Sequence, residues 1–169
     1  MSCNVWDKLK KQIAVEREQL NTLLQTYSPL LMKCTRETPD VIELSALAAM
    51  LHAFYTGVEN IFKRVAVELD GGPPKGEFWH RQLLDSMTQP GPARPAVISG
   101  PLRKMLRDYL DFRHVFRQAY TFELRWEKMA GLVQECEKTL RQLEFELDAF
   151  LESFESGEGH DAPAQSSPI

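Results

Sequence analysis

The sequence predicts an all-α protein, an up-and-down bundle of four main helices with one additional short helix. Apolar residues recur at steps of three and four in four long stretches, which is the periodicity of amphipathic helices. Proline and glycine cluster between these stretches, and no run alternates apolar and polar residues as a strand would. Long helices joined by short connections are typical of an antiparallel bundle.

The elements and the domain can be bounded from the same pattern. The predicted helices are Val5–Thr35, Val41–Leu69, the short Glu77–Thr88, a central stretch Leu102–Leu124, and a last helix from about Glu123 to Phe154. Asp40 and Ser99 are predicted to cap the second and the central helix, since their short polar side chains accept from free N–H groups. We expect one helical domain over residues 1–155. Residues 156–169 are small, polar and proline-containing, which predicts a disordered C-terminal tail.

Composition and charge exclude several classes of protein. The net charge of −4 gives no general attraction to nucleic acid, so any RNA contact must come from a local basic patch. Cys3, Cys34 and Cys136 are odd in number and widely spaced, which argues against a disulfide framework and a zinc site, and we expect no metal and no cofactor. The common enzyme signatures G-x-S-x-G, H-E-x-x-H and the P-loop are absent.

The sequence also predicts where the protein resides. We find no run of about 18 apolar residues that would span a membrane. Charges throughout the N-terminus argue against a signal peptide. We therefore expect a cytoplasmic protein without a membrane partner.

The central stretch places two arginines among apolar residues. At about 100° per residue, Arg113 and Arg117 fall inside the apolar arc of the helix. A buried guanidinium is costly unless a carboxylate or an anionic ligand meets it, and Glu59, on the margin of the second helix, is the predicted partner of Arg113. The alternative is that both arginines lie at the edge of the apolar stripe with their guanidinium groups in water, and that Glu59 is an ordinary exposed charge.

A basic patch on the same stretch is the candidate RNA contact. It consists of Arg103, Lys104, Arg107, Arg113, His114 and Arg117. Among these, Arg107 and Arg117 are candidate binding residues beside Arg113. The alternative is a solvated helix face without a ligand.

Three segments in the middle of the chain carry a resemblance to a known family. They are L-H-A-F-Y-T-G-V-E-N-I-F at Leu51–Phe62, W-H-R-Q-L-L at Trp79–Leu84 and F-R-H-V-F-R-Q-A-Y at Phe112–Tyr120. In this order they resemble the HepT-like branch of the HEPN superfamily, over roughly Leu44 to Leu132. The motif of HepT proteins, R-x4-H-x-Y, selects Arg113, position 118 and Tyr120, and position 118 is glutamine in this chain.

The resemblance implies a HEPN-like fold and a homodimer whose arginines and histidines line a cleft that cleaves RNA without metal. It gives Arg113 the role of binding phosphate, and it gives the histidine the transfer of protons around the 2′-hydroxyl. Gln118 can hydrogen-bond a phosphate but cannot exchange a proton near neutral pH, so we expect RNase activity to be weak or absent. His114 is a candidate substitute, although in a straight helix it points about 100° away from Arg113. Arg107 and His114 form a second candidate pair, which would be a degenerate form of the arginine–histidine site.

Tyr120 indicates a further function by resemblance. In HepT systems a partner nucleotidyltransferase adenylylates the motif tyrosine, which silences the toxin. The alternative is a core aromatic that completes the apolar stripe. We therefore interpret the chain as a HepT-like component of a prokaryotic toxin–antitoxin or defence module. The competing hypotheses are a non-catalytic adaptor or regulatory partner of a nucleotidyltransferase, and a small-ligand pocket around the two arginines.

Overall fold

The computed structural model describes residues 3–155 and contains, within that range, five α-helices and no strand. In chain order they are α1 (Cys3–Lys33), α2 (Val41–Leu69), α3 (Trp79–Ser86), α4 (Gly100–Phe116) and α5 (Trp126–Glu155), with a 3-10 helix (Thr121–Glu123) between α4 and α5. α3 is the short helix, so the predicted all-α bundle of four main helices and one short helix is confirmed. The predicted tail, residues 156–169, lies outside the described residues.

α2 is the centre of the bundle, because it contacts each of the other four α-helices. Its buried residues run along its whole length and include Leu47, Leu51, Phe54, Val58, Phe62 and Val65. Among residues 3–155 it is also the one helix long and apolar enough to cross a membrane by length and composition, against our prediction that no such stretch exists. Core helices of soluble domains meet the same criterion, and contact with every other helix is the environment of a core helix.

The predicted caps form at both helix starts. The Asp40 side chain accepts from the Glu43 backbone N–H at 2.8 Å, and the Glu43 carboxylate accepts from the Asp40 N–H at 3.2 Å, which is a complete capping box. The Ser99 hydroxyl accepts from the Leu102 N–H at 3.2 Å at the start of α4. These contacts fix where α2 and α4 begin, and therefore which of their residues face each other.

The central helix is shorter than predicted. α4 ends at Phe116 and does not continue to Leu124. After it, the Tyr120 backbone N–H donates to the Glu123 carboxylate at 3.2 Å, and the chain enters the 3-10 helix, which contacts α2. The Glu123 carboxylate thus takes the place of the backbone carbonyl that would accept the next helical hydrogen bond. Apolar periodicity cannot predict such a contact.

The bounds of three other helices also differ from the prediction by a few residues. α1 covers Cys3–Lys33 instead of Val5–Thr35, α3 covers Trp79–Ser86 instead of Glu77–Thr88, and α5 begins at Trp126 instead of Glu123. Terminal helical turns lack half of their backbone hydrogen bonds, so their extent depends on tertiary contacts as well as on the local sequence.

A buried ion pair holds the segment that carries α3. Asp70 caps the end of α2, and Arg94 lies in the connection between α3 and α4. Arg94 donates from Nε and Nη2 to the two carboxylate oxygens of Asp70, each at 2.7 Å, and its Nη1 donates to the carbonyls of Gln89 and Pro95. The connection between α3 and α4 is therefore anchored to the bundle at the point where α2 ends.

Candidate functional site

Three helices each contribute one polar side chain to a single contact. Glu59 comes from α2, His80 from α3 and Arg113 from α4. Arg113 donates from Nη2 to Glu59 Oε2 at 2.9 Å and from Nη1 to Glu59 Oε1 at 3.3 Å. His80 Nδ1 lies 2.6 Å from Glu59 Oε2 and 2.9 Å from Arg113 Nη2. We call these three side chains the Glu59 cluster.

Two of the three side chains in the Glu59 cluster are buried. Glu59 is 3% exposed and Arg113 is 5% exposed, so neither charge is hydrated by bulk water. The two charges compensate each other, as a buried pair must to remain ionised. The Tyr55 ring centroid lies 5.0 Å from Arg113 Cζ, and burial raises the pKa of Tyr55, so its hydroxyl stays neutral beside the pair.

The hydrogen-bonding chemistry of His80 follows from the two distances at Nδ1. Arginine only donates, and one ring nitrogen cannot donate to a carboxylate and accept from a guanidinium at once. The contact with Glu59 is the shorter of the two, so we assign the proton to Nδ1, which donates to the carboxylate in a charge-assisted hydrogen bond. In this tautomer the lone pair of the neutral ring is on Nε2.

The imidazole is also fixed by stacking. The Trp79 and His80 rings stack with centroids 3.7 Å apart, and Lys63 Nζ lies 4.9 Å from the centroid of the Trp79 ring. Lys63 Nζ is also 3.8 Å from Glu59 Oε1. The plane of the His80 ring is therefore set from one side by an aromatic ring and from another by a carboxylate.

The Glu59 cluster lies against a cleft of about 520 Å³ between α3 and α4. Seven of its ten lining residues are polar or charged (Glu77, His80, Arg81, Asp111, Arg113, His114 and Arg117), and the other three are Phe78, Leu110 and Val115. Arg81 and Arg117 are exposed, so their charges are available to a ligand in the cleft. Residues 3–155 contain no cluster of three or more His, Cys, Asp or Glu side chains suited to a metal.

The comparison with protein families identifies the chain. A family model described as HepT-like protein matches residues 46–154, which is more than half of the 169 residues. The chain belongs to the HepT-like family. The resemblance stated from the sequence is thus confirmed, and the match extends beyond Leu132 through most of α5. No curated protein and no solved structure gave a significant match.

The residues of the HepT motif do not meet in one place in this member of the family. Arg113 is in the Glu59 cluster, whereas Gln118 and Tyr120 lie beyond the end of α4 and are absent from the cleft lining. Gln118 is exposed, and Tyr120 is 70% exposed and stacks on Phe122 at 5.4 Å. The interpretation of Tyr120 as a core aromatic is therefore wrong, because the helix stops before the residue can rejoin the apolar face.

The other predicted residues divide into two groups. The predicted pairing of Glu59 with Arg113 is confirmed, and His114 and Arg117 line the same cleft. Arg117 is the C-cap of α4 and is exposed, so it does not lie in the apolar arc as the periodicity predicted. Arg107 donates to Asp111 at 3.0 Å one helical turn away and is not part of the cleft lining. Their roles in binding or catalysis remain predictions.

Sequence reasoning missed His80 as a site residue. It was noted only within the segment Trp79–Leu84 that carries the family resemblance, and a separation of 21 residues from Glu59 gives no local signal. The R-x4-H-x-Y motif does not select a histidine that lies outside its own spacing. The Nδ1 atom of His52, by contrast, is buried without a hydrogen-bond partner in the described part of the chain.

Proposed function

We propose that this HepT-like protein is a cytoplasmic component of a prokaryotic toxin–antitoxin or defence module that binds RNA in the cleft between α3 and α4. The observation that carries the proposal is the Glu59 cluster opening onto a cleft that also holds Arg81 and Arg117. Exposed guanidinium groups bind phosphate oxygens in bidentate fashion. The proposal depends on local charge, since the protein as a whole is acidic, and the cleft lining has three arginines against two acidic residues, Glu77 and Asp111.

The arginines have different roles in this proposal. Both terminal nitrogens of Arg113 are engaged by Glu59, which compensates the guanidinium charge, so Arg113 orients the cluster and does not contact the phosphate itself. Arg81 and Arg117 make the direct phosphate contacts, because they are exposed at the cleft. Gln118 lacks a titratable proton, so RNA cleavage by the family motif alone is weak or absent, and no metal is required.

We also propose that the protein is a homodimer. Val115, Tyr120 and Phe122 are 59%, 70% and 76% exposed around the C-terminal end of α4. A groove of about 730 Å³ beside them is lined by apolar residues that include Phe112 and Leu124. Exposed apolar side chains next to a groove favour association with another surface, and a second copy would extend the cleft. Sedimentation of the wild type and of Phe122→Ser tests this proposal.

RNA binding is tested by fluorescence anisotropy with a short single-stranded RNA at several salt concentrations. The Arg117→Ala variant should bind more weakly and reduce the salt slope by about one, since one phosphate contact is lost. Arg64→Ala is the matched control, because Arg64 is exposed on α2 outside the cleft lining. If the wild type binds no RNA, the adaptor hypothesis, with Arg113 paired only internally, replaces this proposal.

A second candidate function is regulation through Tyr120 by a nucleotidyltransferase partner. The supporting observation is that Tyr120 is 70% exposed, so its side chain is accessible to an enzyme. Incubation with a nucleotidyltransferase and ATP, followed by mass spectrometry, should add one adenylyl group. The Tyr120→Phe variant should remain unmodified, and modification of that variant would contradict the assignment.

A further inference from the structure

We propose that His80 is the proton-transferring histidine of this site, supplied by α3 in place of the histidine that position 118 lacks. This inference rests on the proposed RNA-binding function. Gln118 lies outside the cleft, whereas His80 lines it and contacts Arg113 directly. The chain thus keeps an arginine and a histidine side by side, although they come from different helices.

The geometry around His80 is that of an oriented base. His80 Nδ1–H donates to Glu59 Oε2, with 2.6 Å between the nitrogen and the oxygen, and Trp79 stacks on the ring. Both hydrogen-bond contacts of the His80 ring with residues 3–155 are at Nδ1, which leaves Nε2 for a ligand, and the side chain is 31% exposed. A buried carboxylate that fixes Nδ1–H and leaves Nε2 free is the arrangement by which a carboxylate–histidine pair prepares a general base.

The two other histidines of the described range lack this arrangement. His114 lines the cleft but is exposed, and no hydrogen bond from residues 3–155 fixes its ring. His52 is absent from the cleft lining, and burial together with the charges of Arg113 and Arg117 lowers its pKa. His80 is therefore the imidazole that is both oriented and directed to the place where phosphate would bind.

The reaction that this geometry supports is cleavage of RNA by its own 2′-hydroxyl. His80 Nε2 takes the 2′-hydroxyl proton while the 2′-oxygen bonds to phosphorus and the bond from phosphorus to the 5′-oxygen breaks. The leaving 5′-oxygen takes a proton from water, and His80 returns its proton to solvent. The products are a 2′,3′-cyclic phosphate and a 5′-hydroxyl, so no oxidant or second substrate is consumed. Arg81 and Arg117, which are exposed at the cleft, stabilise the additional negative charge on the phosphate.

The test compares RNA binding and RNA cleavage in the full-length protein with a chelator present. His80→Asn is the informative variant, because its amide can still donate to Glu59 while the position of Nε2 is lost. Gln82→Ala is the matched control, since Gln82 is exposed on the same helix outside the cleft lining. Thermal unfolding of each protein tests whether the variants are folded. If His80→Asn does not fold, His80→Gln replaces it in the comparison.

We expect His80→Asn to bind a labelled RNA within about twofold of the wild type and to cleave it about 10² to 10⁴ times more slowly. The DNA of the same sequence should bind but not be cleaved. Undiminished cleavage by His80→Asn, or a wild type that binds RNA without cleaving it, overturns the role of His80 and leaves the RNA-binding function standing. A wild type that binds no RNA overturns both.

Discussion

Asp70 and Arg94 form a fork-to-fork ion pair in which both nitrogen–oxygen distances are 2.7 Å. One residue ends α2 and the other precedes α4, so the pair closes the segment that carries α3. His80 lies on α3, so this pair also contributes to the position of the imidazole relative to Glu59 and Arg113.

Asp70→Asn should lower the free energy of unfolding by about 3 kcal/mol, because it leaves the buried Arg94 guanidinium without a countercharge. The Arg94 and Asp70 side chains are 2% and 17% exposed. Asp148→Asn is the control, since Asp148 is 53% exposed and its pairing with Arg17 should contribute less than about 1 kcal/mol. Urea unfolding measures both, and equal losses would contradict the special role of the buried pair.

Glu59 and Arg113 should behave as one energetic unit. Glu59→Leu or Arg113→Met alone should cost about 3 kcal/mol, because each leaves one buried charge without its main countercharge. The double variant should cost clearly less than the sum of the two, which a double-mutant cycle in urea detects. Strict additivity would show that the two charges do not interact.

Gly57→Ala and Gly131→Ala should shift stability in opposite directions. A Cβ at Gly57 would lie 2.6 Å from Leu20 Cδ2 in the α1–α2 contact, so overpacking by about 1 to 3 kcal/mol should outweigh the helix propensity of alanine. A Cβ at Gly131 in α5 meets nothing within 4 Å, so that variant should gain about 0.5 to 1 kcal/mol. Thermal unfolding of the two variants decides, and a stabilising Gly57→Ala would refute the close approach.

The free energy of unfolding should depend on pH through His52. Burial first, and then the charges of Arg113 and Arg117, lower the pKa of this ring below its ordinary value of 6.5. The unfolded chain therefore binds the proton at a higher pH than the folded one, so stability is lost as the pH falls from 6.5 toward the folded value. Urea unfolding between about pH 5 and pH 8 should show a shallower pH dependence for His52→Gln. Identical slopes would contradict this assignment.

Cys136 should resist alkylation in the folded protein. Burial raises the pKa of its thiol to about 12, and the side chain is fully buried. At pH 8 only about one thiol in ten thousand would then be the reactive thiolate. Mass spectrometry after iodoacetamide treatment should find Cys136 unmodified until denaturant is added. Rapid modification of Cys136 in the native protein would show that α5 opens locally.

The sequence was sufficient to predict the bundle and its capped helix starts. Apolar periodicity covers dozens of residues, and Asp40 and Ser99 cap through contacts only three residues away. The sequence did not predict the end of α4, because no proline or glycine directly follows Phe116. The Tyr120 backbone N–H there donates to the Glu123 carboxylate. Such an ending depends on one side-chain contact and on packing against α2.

The candidate site was predictable only in part for a similar reason. A buried carboxylate and a buried arginine both need a partner of opposite charge. The position of Glu59 at the margin of one apolar stripe and of Arg113 inside another therefore predicted their pairing, which the structure shows. His80 gave no such signal, because a histidine can be buried in its uncharged form and then needs no countercharge. Only the position of the eight-residue α3 brings it to the other two.

The apolar character of α2 has a consequence for biosynthesis. Translation proceeds from the N-terminus, so α2 leaves the ribosome before α4 and α5 exist to cover it. α1 can shield one side of the nascent helix, but the remaining apolar side stays in water until later segments emerge. We therefore expect the nascent chain to be most prone to aggregation between the synthesis of α2 and the synthesis of α5.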